Sequence, residues 1–260
     1  MSSRTHSAAE RLGPWFHNLH LPNGDQTAAD HALGDFPATK WQVLAPHLPE
    51  RLDGWSALDI GCNAGFYSFE LARRGAHVTG IDVDPHYLQQ AQWAAGEFGL
   101  LDQITFRQAQ VYDLARSEER YDLVLFMGVF YHLRYPLLGL DIVARRVGRL
   151  MVFQSLTAPS SGPPSDTSDR ALNDRNALNE TGWPRMMFVE GRFAGDPTNW
   201  WIPNEPAVAA MIRSSGMEVI ASPGHELHLC VPAAANASTR APFDITPELL
   251  AASGRSSRTG

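Results

Sequence analysis

An apolar run and a turn of small residues meet in the segment Ala57-Leu58-Asp59-Ile60-Gly61-Cys62-Asn63-Ala64-Gly65-Phe66-Tyr67. The pattern predicts a short buried strand, a tight turn and the start of a helix. Backbone can approach a ligand closely in such a turn only where side chains are small, and Gly61 and Gly65 meet that need. Asn63 stands where many such turns carry a middle glycine, and asparagine tolerates a positive φ better than most residues. We therefore expect a ligand against this turn.

Two acids accompany the turn. Asp59 ends the first strand, and Asp82 ends the next strand pattern 23 residues later (82 − 59). This is close to the spacing of about 20 residues at which an acid binds the ribose hydroxyls of a nucleoside. Asp59 lies beside the glycines, where it could accept from the ammonium of a methionine moiety, directly or through water. The turn and the two acids together predict a site for S-adenosylmethionine.

A dinucleotide-binding dehydrogenase is the natural competitor, because it shares the strand, the turn and the helix. Its fingerprint is G-x-G-x-x-G. Here the pattern is Asp59-x-Gly61-x-x-x-Gly65, with the acid inside the strand and no glycine at Asn63 or Ala64. The pattern therefore favours methyl transfer over hydride transfer.

Strand and helix patterns alternate through the middle of the chain, with strands at 56–60, 78–82, 104–109, 121–127 and 150–156 and helices at 66–74, 85–98 and 136–147. Such alternation predicts a mainly parallel sheet. A helix at 205–215 leads to strands near 217–222 and 226–231, and the tight Ser222-Pro223-Gly224-His225 connection makes these two strands antiparallel. The expected fold is a Rossmann-like α/β fold with the seven-stranded sheet of class I methyltransferases.

Three regions are expected along the chain. Residues 1–53 form an N-terminal extension that packs over the cofactor, with a disordered start and a helix from Thr39 to about Leu48. Residues 54–232 form the catalytic domain, and its long insertion at about 158–205 is expected to act as a lid, mobile at 159–179 and ordered by aromatic residues afterwards. Residues 233–260 read as a disordered tail with a short helix at 247–252.

The composition excludes several classes of protein. The chain has 260 residues, 44% of them hydrophobic, and carries a formal charge of −7 with Lys40 as its only lysine. This balance argues against a broad nucleic-acid-binding face. The sequence shows no membrane-length apolar run and no signal core, so we expect a soluble cytoplasmic protein. Its two cysteines have neither metal-ligand nor disulfide spacing, so no metal is expected.

The loop after the strand at 121–127 should face the sulfonium methyl group, because ligands of open α/β sheets lie beyond the carboxyl ends of the central strands. It reads Met127-Gly128-Val129-Phe130-Tyr131-His132. Together with the glycine turn, Thr39-Lys40-Trp41 and Asn199-Trp200-Trp201-Ile202-Pro203, this loop resembles the methyltransferase group that includes the tRNA wobble-uridine carboxymethyltransferase. The resemblance covers residues 36–222. A subfamily of uncharacterised bacterial methyltransferases is more similar still.

The resemblance implies roles for particular residues. In that group, upstream lysines and a tyrosine of the loop hold the carboxylate of a carboxylated S-adenosylmethionine, and Lys40 and Tyr131 match them. Met127 matches a cofactor-pocket position. A second upstream lysine has no counterpart in this chain. We therefore expect ordinary S-adenosylmethionine, bound by Lys40, Trp41, Asp59, Gly61, Cys62, Asn63, Gly65, Phe66, Asp82, Val83, Gln110, Val111, Met127 and Val129.

Methyl transfer from a sulfonium is an in-line displacement, so the enzyme contributes mainly alignment of donor and acceptor. His132 is a candidate general base, or a structural histidine that fixes the loop. Tyr131 either orients the acceptor or lines the cofactor. The remaining candidates are Glu190 as a catalytic lid residue and His17, Arg192, Trp200 and Trp201 as acceptor-binding residues, with a solvated Glu190–Arg192 ion pair as the alternative.

Three functions stay open from the sequence. The first is methyl transfer to oxygen or nitrogen of a small-molecule acceptor, such as a metabolite or natural product. The second is modification of tRNA or another RNA, which needs a basic surface that this acidic chain lacks. The third is a protein that binds S-adenosylmethionine without turnover. Monomer and homodimer both stay open.

Overall fold

The computed structural model describes residues 8–159, 169–234 and 244–254. The disorder expected for the first residues, the first half of the lid and the tail falls partly on positions 1–7, 160–168, 235–243 and 255–260, which lie outside the described residues. Within the tail, the expected short helix is present. Within the lid, residues 175–179 form a short 3₁₀ helix, although a mobile segment was expected there.

The strands are β1 (Ser56–Ile60), β2 (His77–Asp82), β3 (Ile104–Gln108), β4 (Tyr121–Met127), β5 (Val147–Gln154), β6 (Met186–Phe188), β7 (Trp201–Pro203), β8 (Met217–Gly224) and β9 (Leu227–Pro232). The α-helices are α1 (Ala38–Leu44), α2 (Phe66–Arg73), α3 (Pro85–Phe98), α4 (Pro136–Ala144), α5 (Glu205–Ser214) and α6 (Thr246–Ala252). Of the helices in these ranges, none has the length and apolar run needed to cross a membrane.

The main sheet has seven strands in the order β3-β2-β1-β4-β5-β9-β8. Strand β1 pairs in parallel with both β2 and β4, and β2 pairs in parallel with β3. Strand β9 runs antiparallel to both β5 and β8. The predicted α/β class and seven-stranded methyltransferase sheet are therefore confirmed.

The chain divides into two compact units, of which the first contains the residues up to Phe126 together with Arg146–Leu150. Its strand β1 pairs with β2 on one side and β4 on the other, and its residues are buried from Ala57 to Ile60, including the carboxylate of Asp59. Helix α3 begins where the Asp84 side chain accepts from the His86 N–H at 2.8 Å, with Pro85 in the first turn, and ends at Gly99. The Gln90 amide of this helix donates to the carbonyls of Leu12 at 2.7 Å and Pro14 at 2.9 Å. The N-terminal segment is thus anchored to α3.

The second unit contains Met127–Arg145 and the residues from Met151 onward. Its lid holds a two-stranded sheet of β6 and β7. Asn204 connects this sheet to α5, because its side-chain oxygen accepts from both Ala207 N–H and Arg185 N–H at 3.0 Å, while its amide donates to the Trp183 carbonyl at 2.8 Å. The second half of the lid is therefore ordered, as its aromatic composition predicted.

Several predicted boundaries are wrong. Helix α4 ends at Ala144 rather than 147, and β5 starts at Val147 rather than 150. Strand β5 starts earlier in the chain than predicted because Tyr121 N–H donates to the Arg146 carbonyl at 2.8 Å, and Arg146 is itself buried. The hairpin turn between β8 and β9 lies at residues 225–226, and β8 continues to Gly224. Register shifts in β8 accommodate Pro223 in the strand.

Candidate cofactor and acceptor sites

The glycine turn of the first unit has the backbone shape that the sequence predicted. Gly61, Asn63 and Gly65 have φ values of 70°, 49° and 88°. The N–H groups of Gly61 and Cys62 donate to the Ile81 carbonyl at 2.8 and 3.0 Å, which ties the turn to the end of β2. A Cβ atom at position 65 would lie 2.6 Å from the Phe69 ring. Position 65 therefore excludes a side chain both by conformation and by space.

Asp82 holds the turn in place. One of its carboxylate oxygens accepts from Asn63 N–H at 2.9 Å and the other from Asp84 N–H at 2.9 Å. Each carboxylate oxygen can accept a second hydrogen bond. The side chain can therefore organise the backbone and still receive the two hydroxyls of a ribose.

Asp59 is a buried carboxylate that accepts from the Ser68 hydroxyl at 2.7 Å. Burial raises its pKa to about 6, and the charge of Asp82 adds to that effect. Because the pKa is raised by lost hydration, a cation bound nearby would lower it and stabilise the ionised form. The ammonium and sulfonium groups of S-adenosylmethionine are such cations.

Aromatic side chains surround the start of α2. The Tyr67 ring lies 6.1 Å from His17, 6.3 Å from Trp41 and 5.4 Å from Phe66, between ring centroids. Lys40 lies over the ring of Phe36, with Nζ 5.5 Å from the centroid. Among the described residues, His17 and Lys40 thus belong to the same cluster, although the sequence assigned His17 to the acceptor and Lys40 to the cofactor.

The other predicted cofactor residues of this unit differ in exposure. Cys62 is buried, and burial raises the pKa of its thiol, so it acts as a small apolar filler in the turn. Val83 is 63% exposed at the end of β2, where it could cover a ligand. Gln110 and Asp113 cap a 3₁₀ helix reciprocally, and Val111 is buried beneath it. The Gln110 oxygen is therefore engaged in the cap, and its amide N–H groups are what could meet an adenine.

The loop after β4 lies in the second unit. Met127 is buried at its start, Gly128 has a φ of 70° and donates to the Gln154 carbonyl at 3.2 Å, and Val129 is half-buried. Residues 130–132 form a 3₁₀ turn. The Tyr131 carbonyl accepts from Trp200 N–H at 3.0 Å, which joins the loop to the second half of the lid.

His132 belongs to a hydrogen-bonded chain that ends at an acid. Its Nδ1 lies 2.9 Å from the Thr198 hydroxyl oxygen, and that hydroxyl lies 2.6 Å from a carboxylate oxygen of Asp196. The carboxylate can only accept, so the Thr198 proton points to Asp196 and Nδ1 must carry the proton of the neutral imidazole. The lone pair of His132 is therefore on Nε2. Burial lowers the pKa of His132, which favours this neutral form at pH 7.

The side chain of Tyr131 lies near negatively charged groups. Burial and the charges of Glu226 and Asp196 raise its pKa to about 12, so its phenol stays protonated. The Glu226 carboxylate accepts from Thr157 N–H at 2.6 Å and from the Gln154 amide at 3.1 Å. The remaining Gln154 oxygen is buried and has no hydrogen-bond partner among the described residues.

Trp200 and Trp201 stand beside Arg134. The Arg134 guanidinium lies 4.8 Å from the Trp200 ring centroid and 5.2 Å from that of Phe188. Trp201 donates its indole N–H to the Arg134 carbonyl at 3.3 Å. Glu190 and Arg192 are exposed in the turn that follows β6. The catalytic role of Glu190 and the acceptor-binding roles of Arg192, Trp200 and Trp201 stay predictions.

Comparison with known proteins agrees with this geometry. A family model described as a methyltransferase domain matches residues 57–147. The tRNA U34 carboxymethyltransferase of Pseudomonas fluorescens is 30% identical over 181 residues, which are 68% of this chain and 49% of that relative. The enzyme of the same name from Cellvibrio japonicus is 28% identical over 213 residues, 80% of this chain and 56% of that relative. The chain spans about half the length of the curated relatives it matches.

Solved structures share the fold. The N-terminal domain of EvdMO1, solved with SAH bound, has a TM-score of 0.61 at 20% identity and covers 90% of this chain and 97% of that chain. An O-methyltransferase family protein from Burkholderia thailandensis has a TM-score of 0.54 at 14% identity, covering 77% of this chain and 57% of that chain. The chain contains a class I S-adenosylmethionine-dependent methyltransferase domain.

The residues of this methyltransferase domain fit its cofactor. The turn would let the backbone approach the cofactor at Gly61 and Gly65, Asp82 could accept hydrogen bonds from the ribose, and Asp59 could place a negative charge near the methionine moiety. Buried polar atoms of His17 and Tyr67 lack partners within the described ranges. No group of three or more His, Cys, Asp or Glu side chains in those ranges is arranged to hold a metal ion.

Several polar residues of the methyltransferase were missed by the sequence analysis. Tyr67 and Ser68 follow Phe66 directly in α2 and could have been found by extending the cofactor turn by two positions. The Asp196-x-Thr198 pattern is typical of a side chain that caps a turn. Gln154 and Glu226 carry no local signal, because they meet only through the folding of β5 and the hairpin turn.

Proposed function

We propose that this protein transfers the methyl group of S-adenosylmethionine to an oxygen or nitrogen of a small-molecule acceptor. The observation that carries the proposal is the chain from Asp196 through Thr198 to His132, which leaves an unprotonated Nε2 as a base. A hydroxyl acceptor must lose its proton as the bond to the methyl group forms, and an ammonium acceptor must lose one before it can attack, so a base is needed in both cases.

The charge around this base supports a small acceptor. Asp196 and Glu226 both act on Tyr131 as negative charges. The chain as given carries a formal charge of −7. A polyanion would be repelled at such a surface, whereas a neutral or cationic molecule would not.

The mechanism assigns each group one task. When bound, S-adenosylmethionine supplies an electrophilic methyl group on its sulfonium. His132 takes the proton of the acceptor at Nε2 while Thr198 and Asp196 keep its Nδ1–H directed away. The protonated phenol of Tyr131 donates a hydrogen bond that orients the acceptor. Proximity and alignment supply most of the acceleration.

The proposal is tested by incubating the purified protein with S-adenosylmethionine labelled in its methyl group and a fractionated extract of small molecules. We expect label in a low-molecular-weight product, with His132→Asn lowering its formation by about 10²-fold or more. The matched control is His47→Asn, which alters an exposed histidine outside both sites. Equal activity of the His132 variant and the wild-type protein would contradict the assigned base.

Modification of tRNA is the second candidate, because the curated relatives named above are tRNA U34 carboxymethyltransferases. The same labelled incubation with total tRNA examines it. Label that co-purifies with RNA and disappears on ribonuclease treatment would favour this candidate. A carboxymethyl product would additionally require label to be supplied from carboxylated S-adenosylmethionine, so that cofactor is included as a parallel incubation.

A further inference from the structure

Two buried polar atoms lie beside the cofactor turn without hydrogen-bond partners among the described residues. They are Nδ1 of His17 and the hydroxyl oxygen of Tyr67. Both residues are more than nine-tenths buried. A buried polar group without a partner is costly, and native proteins retain few of them. Such a pair therefore points to a ligand that supplies the missing hydrogen bonds.

The two side chains are neighbours. Their rings are nearly perpendicular, at 85°, with centroids 6.1 Å apart. Phe66, the first residue of α2, contacts both of them. Because α2 starts directly after Gly65, this pair borders the turn that binds the cofactor.

The backbone around His17 is held firmly. The His17 carbonyl accepts from the Thr27 hydroxyl at 2.8 Å, and Asn18 N–H donates to the Phe36 carbonyl at 2.7 Å. The Asn18 amide also donates to Asp35 at 2.8 Å. The imidazole is therefore positioned before any ligand binds, which lowers the entropic cost of binding.

Charges of opposite sign flank the pair. Burial lowers the pKa of His17 to about 3, and the charges of His31 and Lys40 add to that effect. Asp59 acts on Tyr67 as a negative charge, and together with burial it raises the pKa of that phenol. Of the two neutral hydrogen-bonding groups, one thus interacts with a lysine and the other with a carboxylate. This arrangement is complementary to a zwitterion, with its carboxylate towards the lysine and its ammonium towards the acid.

We propose that His17 and Tyr67 bind the α-amino-acid end of S-adenosylmethionine, donating to its carboxylate while Asp59 accepts from its ammonium. This rests on the cofactor part of the proposed function and is independent of the acceptor. His17 precedes the first residue of the matched methyltransferase region by 40 positions (57 − 17). The N-terminal segment therefore supplies part of the cofactor site.

The test compares two ligands by isothermal titration calorimetry. S-adenosylhomocysteine carries the amino-acid end, and 5′-deoxy-5′-methylthioadenosine lacks it. Tyr67→Phe removes only the unpartnered hydroxyl. We expect this variant to bind S-adenosylhomocysteine about tenfold or more weakly, because a hydrogen bond to a charged group is lost, while binding methylthioadenosine within about twofold of wild type. His17→Leu should show the same selective loss.

Urea unfolding without ligand separates binding from folding. The Tyr67→Phe protein should have an unfolding midpoint equal to or above that of the wild type, because no protein hydrogen bond is lost. The matched control is Tyr121→Phe, a buried tyrosine whose hydroxyl interacts with Thr79. That control should unfold at lower urea concentration and keep the affinity for S-adenosylhomocysteine.

Each outcome is decisive. Equal loss of affinity for both ligands, or no loss for either, would overturn the inference. If wild-type protein binds the two ligands equally, the amino-acid site is wrong while the methyltransferase function stands. If wild-type protein binds neither of them nor S-adenosylmethionine, both the function and the inference fail.

Discussion

The backbone N–H of Asn63 donates a 2.9 Å hydrogen bond to the side chain of Asp82. The bond joins the turn after β1 to the end of β2, so the acid that the sequence assigned to the ribose also shapes the turn. One carboxylate oxygen serves Asn63 and the other serves Asp84. If Asp82 binds the ribose as predicted, one side chain couples cofactor binding to the geometry of the turn.

Asp82→Asn should lower both the stability of the protein and its affinity for the cofactor. An amide has one acceptor oxygen in place of two, so one of the two backbone N–H groups loses its partner, at a cost of about 1 to 3 kcal/mol in unfolding free energy. Affinity for S-adenosylhomocysteine should fall by about tenfold or more. Urea unfolding and calorimetry measure the two effects. Asp84→Asn is the matched control, because asparagine caps a helix as well as aspartate does; an equal loss in both variants would contradict the special role of Asp82.

The buried carboxylate of Asp59 predicts a pH dependence. Its pKa is raised to about 6 in the folded protein, from an ordinary value of 3.8. A raised carboxyl pKa contributes stability that is fully present below pH 3.8 and is lost as pH rises through about 6. Asp59→Asn should therefore stabilise the unliganded protein at pH 7, by about 1 to 3 kcal/mol, as measured by urea unfolding.

Cofactor binding should depend on pH in the opposite sense from stability, becoming stronger as Asp59 ionises. In the proposed site the ammonium of the cofactor pairs with ionised Asp59, so affinity for S-adenosylhomocysteine should fall as pH is lowered from 7 to 5. Calorimetry at several pH values measures this, and the Asp59→Asn protein should bind weakly with a flatter pH profile. A wild-type affinity that does not change between pH 7 and pH 5 would refute the pairing.

The chain from Asp196 to His132 predicts a pH–rate profile. Activity should rise with pH along a limb whose midpoint lies below 6.5, because burial lowers the pKa of His132. The charge of Asp196 raises that pKa, so Asp196→Asn should move the midpoint to lower pH and reduce kcat. Thr198→Val should reduce kcat by about tenfold or more with little change in the KM for S-adenosylmethionine.

If Asp196 and Thr198 acted only in folding, their variants would not move the midpoint of the pH–rate profile. Thr198→Ser is the matched control, since it keeps the hydroxyl and should retain most of the activity. The rate of methyl transfer from pH 5 to pH 9 is the measurement, with protein folding followed by circular dichroism at each pH.

Gly65→Ala should disrupt the cofactor turn. A Cβ atom there meets the Phe69 ring at 2.6 Å, and the φ of 88° is unfavourable for alanine. We expect a loss of about 2 to 4 kcal/mol in unfolding free energy from the two effects together. Gly99→Ala is the matched control, because its φ is 69° and its Cβ position is open. A control that loses as much as Gly65→Ala would show that backbone conformation alone accounts for the effect.

The fold and the cofactor turn were predictable because their signals are local. The apolar runs of β1 and β4 and the glycine pattern at 61–65 can be read within a few residues, and the structure places those elements within one or two positions of the prediction. The start of β5 was missed because it depends on Arg146, whose burial is set by contacts with a distant segment. The turn at Glu226 was missed because Pro223 and Gly224 are stronger turn signals.

The partners of the site residues were less predictable. His132 and Thr198 are 66 positions apart, and His17 and Tyr67 are 50 positions apart (67 − 17). A single sequence gives no measure of such distant contacts. His132 could therefore be named as a candidate base, while the groups that fix its proton could not.

The anchoring of the N-terminal segment on α3 matters for anyone who wishes to produce a smaller protein. Trimming the polypeptide to the 57–147 region recognised by family comparison would take away both carbonyls that accept from Gln90 and the Trp15 ring, whose centroid lies 5.7 Å from that of Trp93. The Gln90 amide and the Trp93 indole would then be exposed on α3. We expect such a fragment to aggregate in the expression host. A shortened protein should therefore start upstream of Leu12.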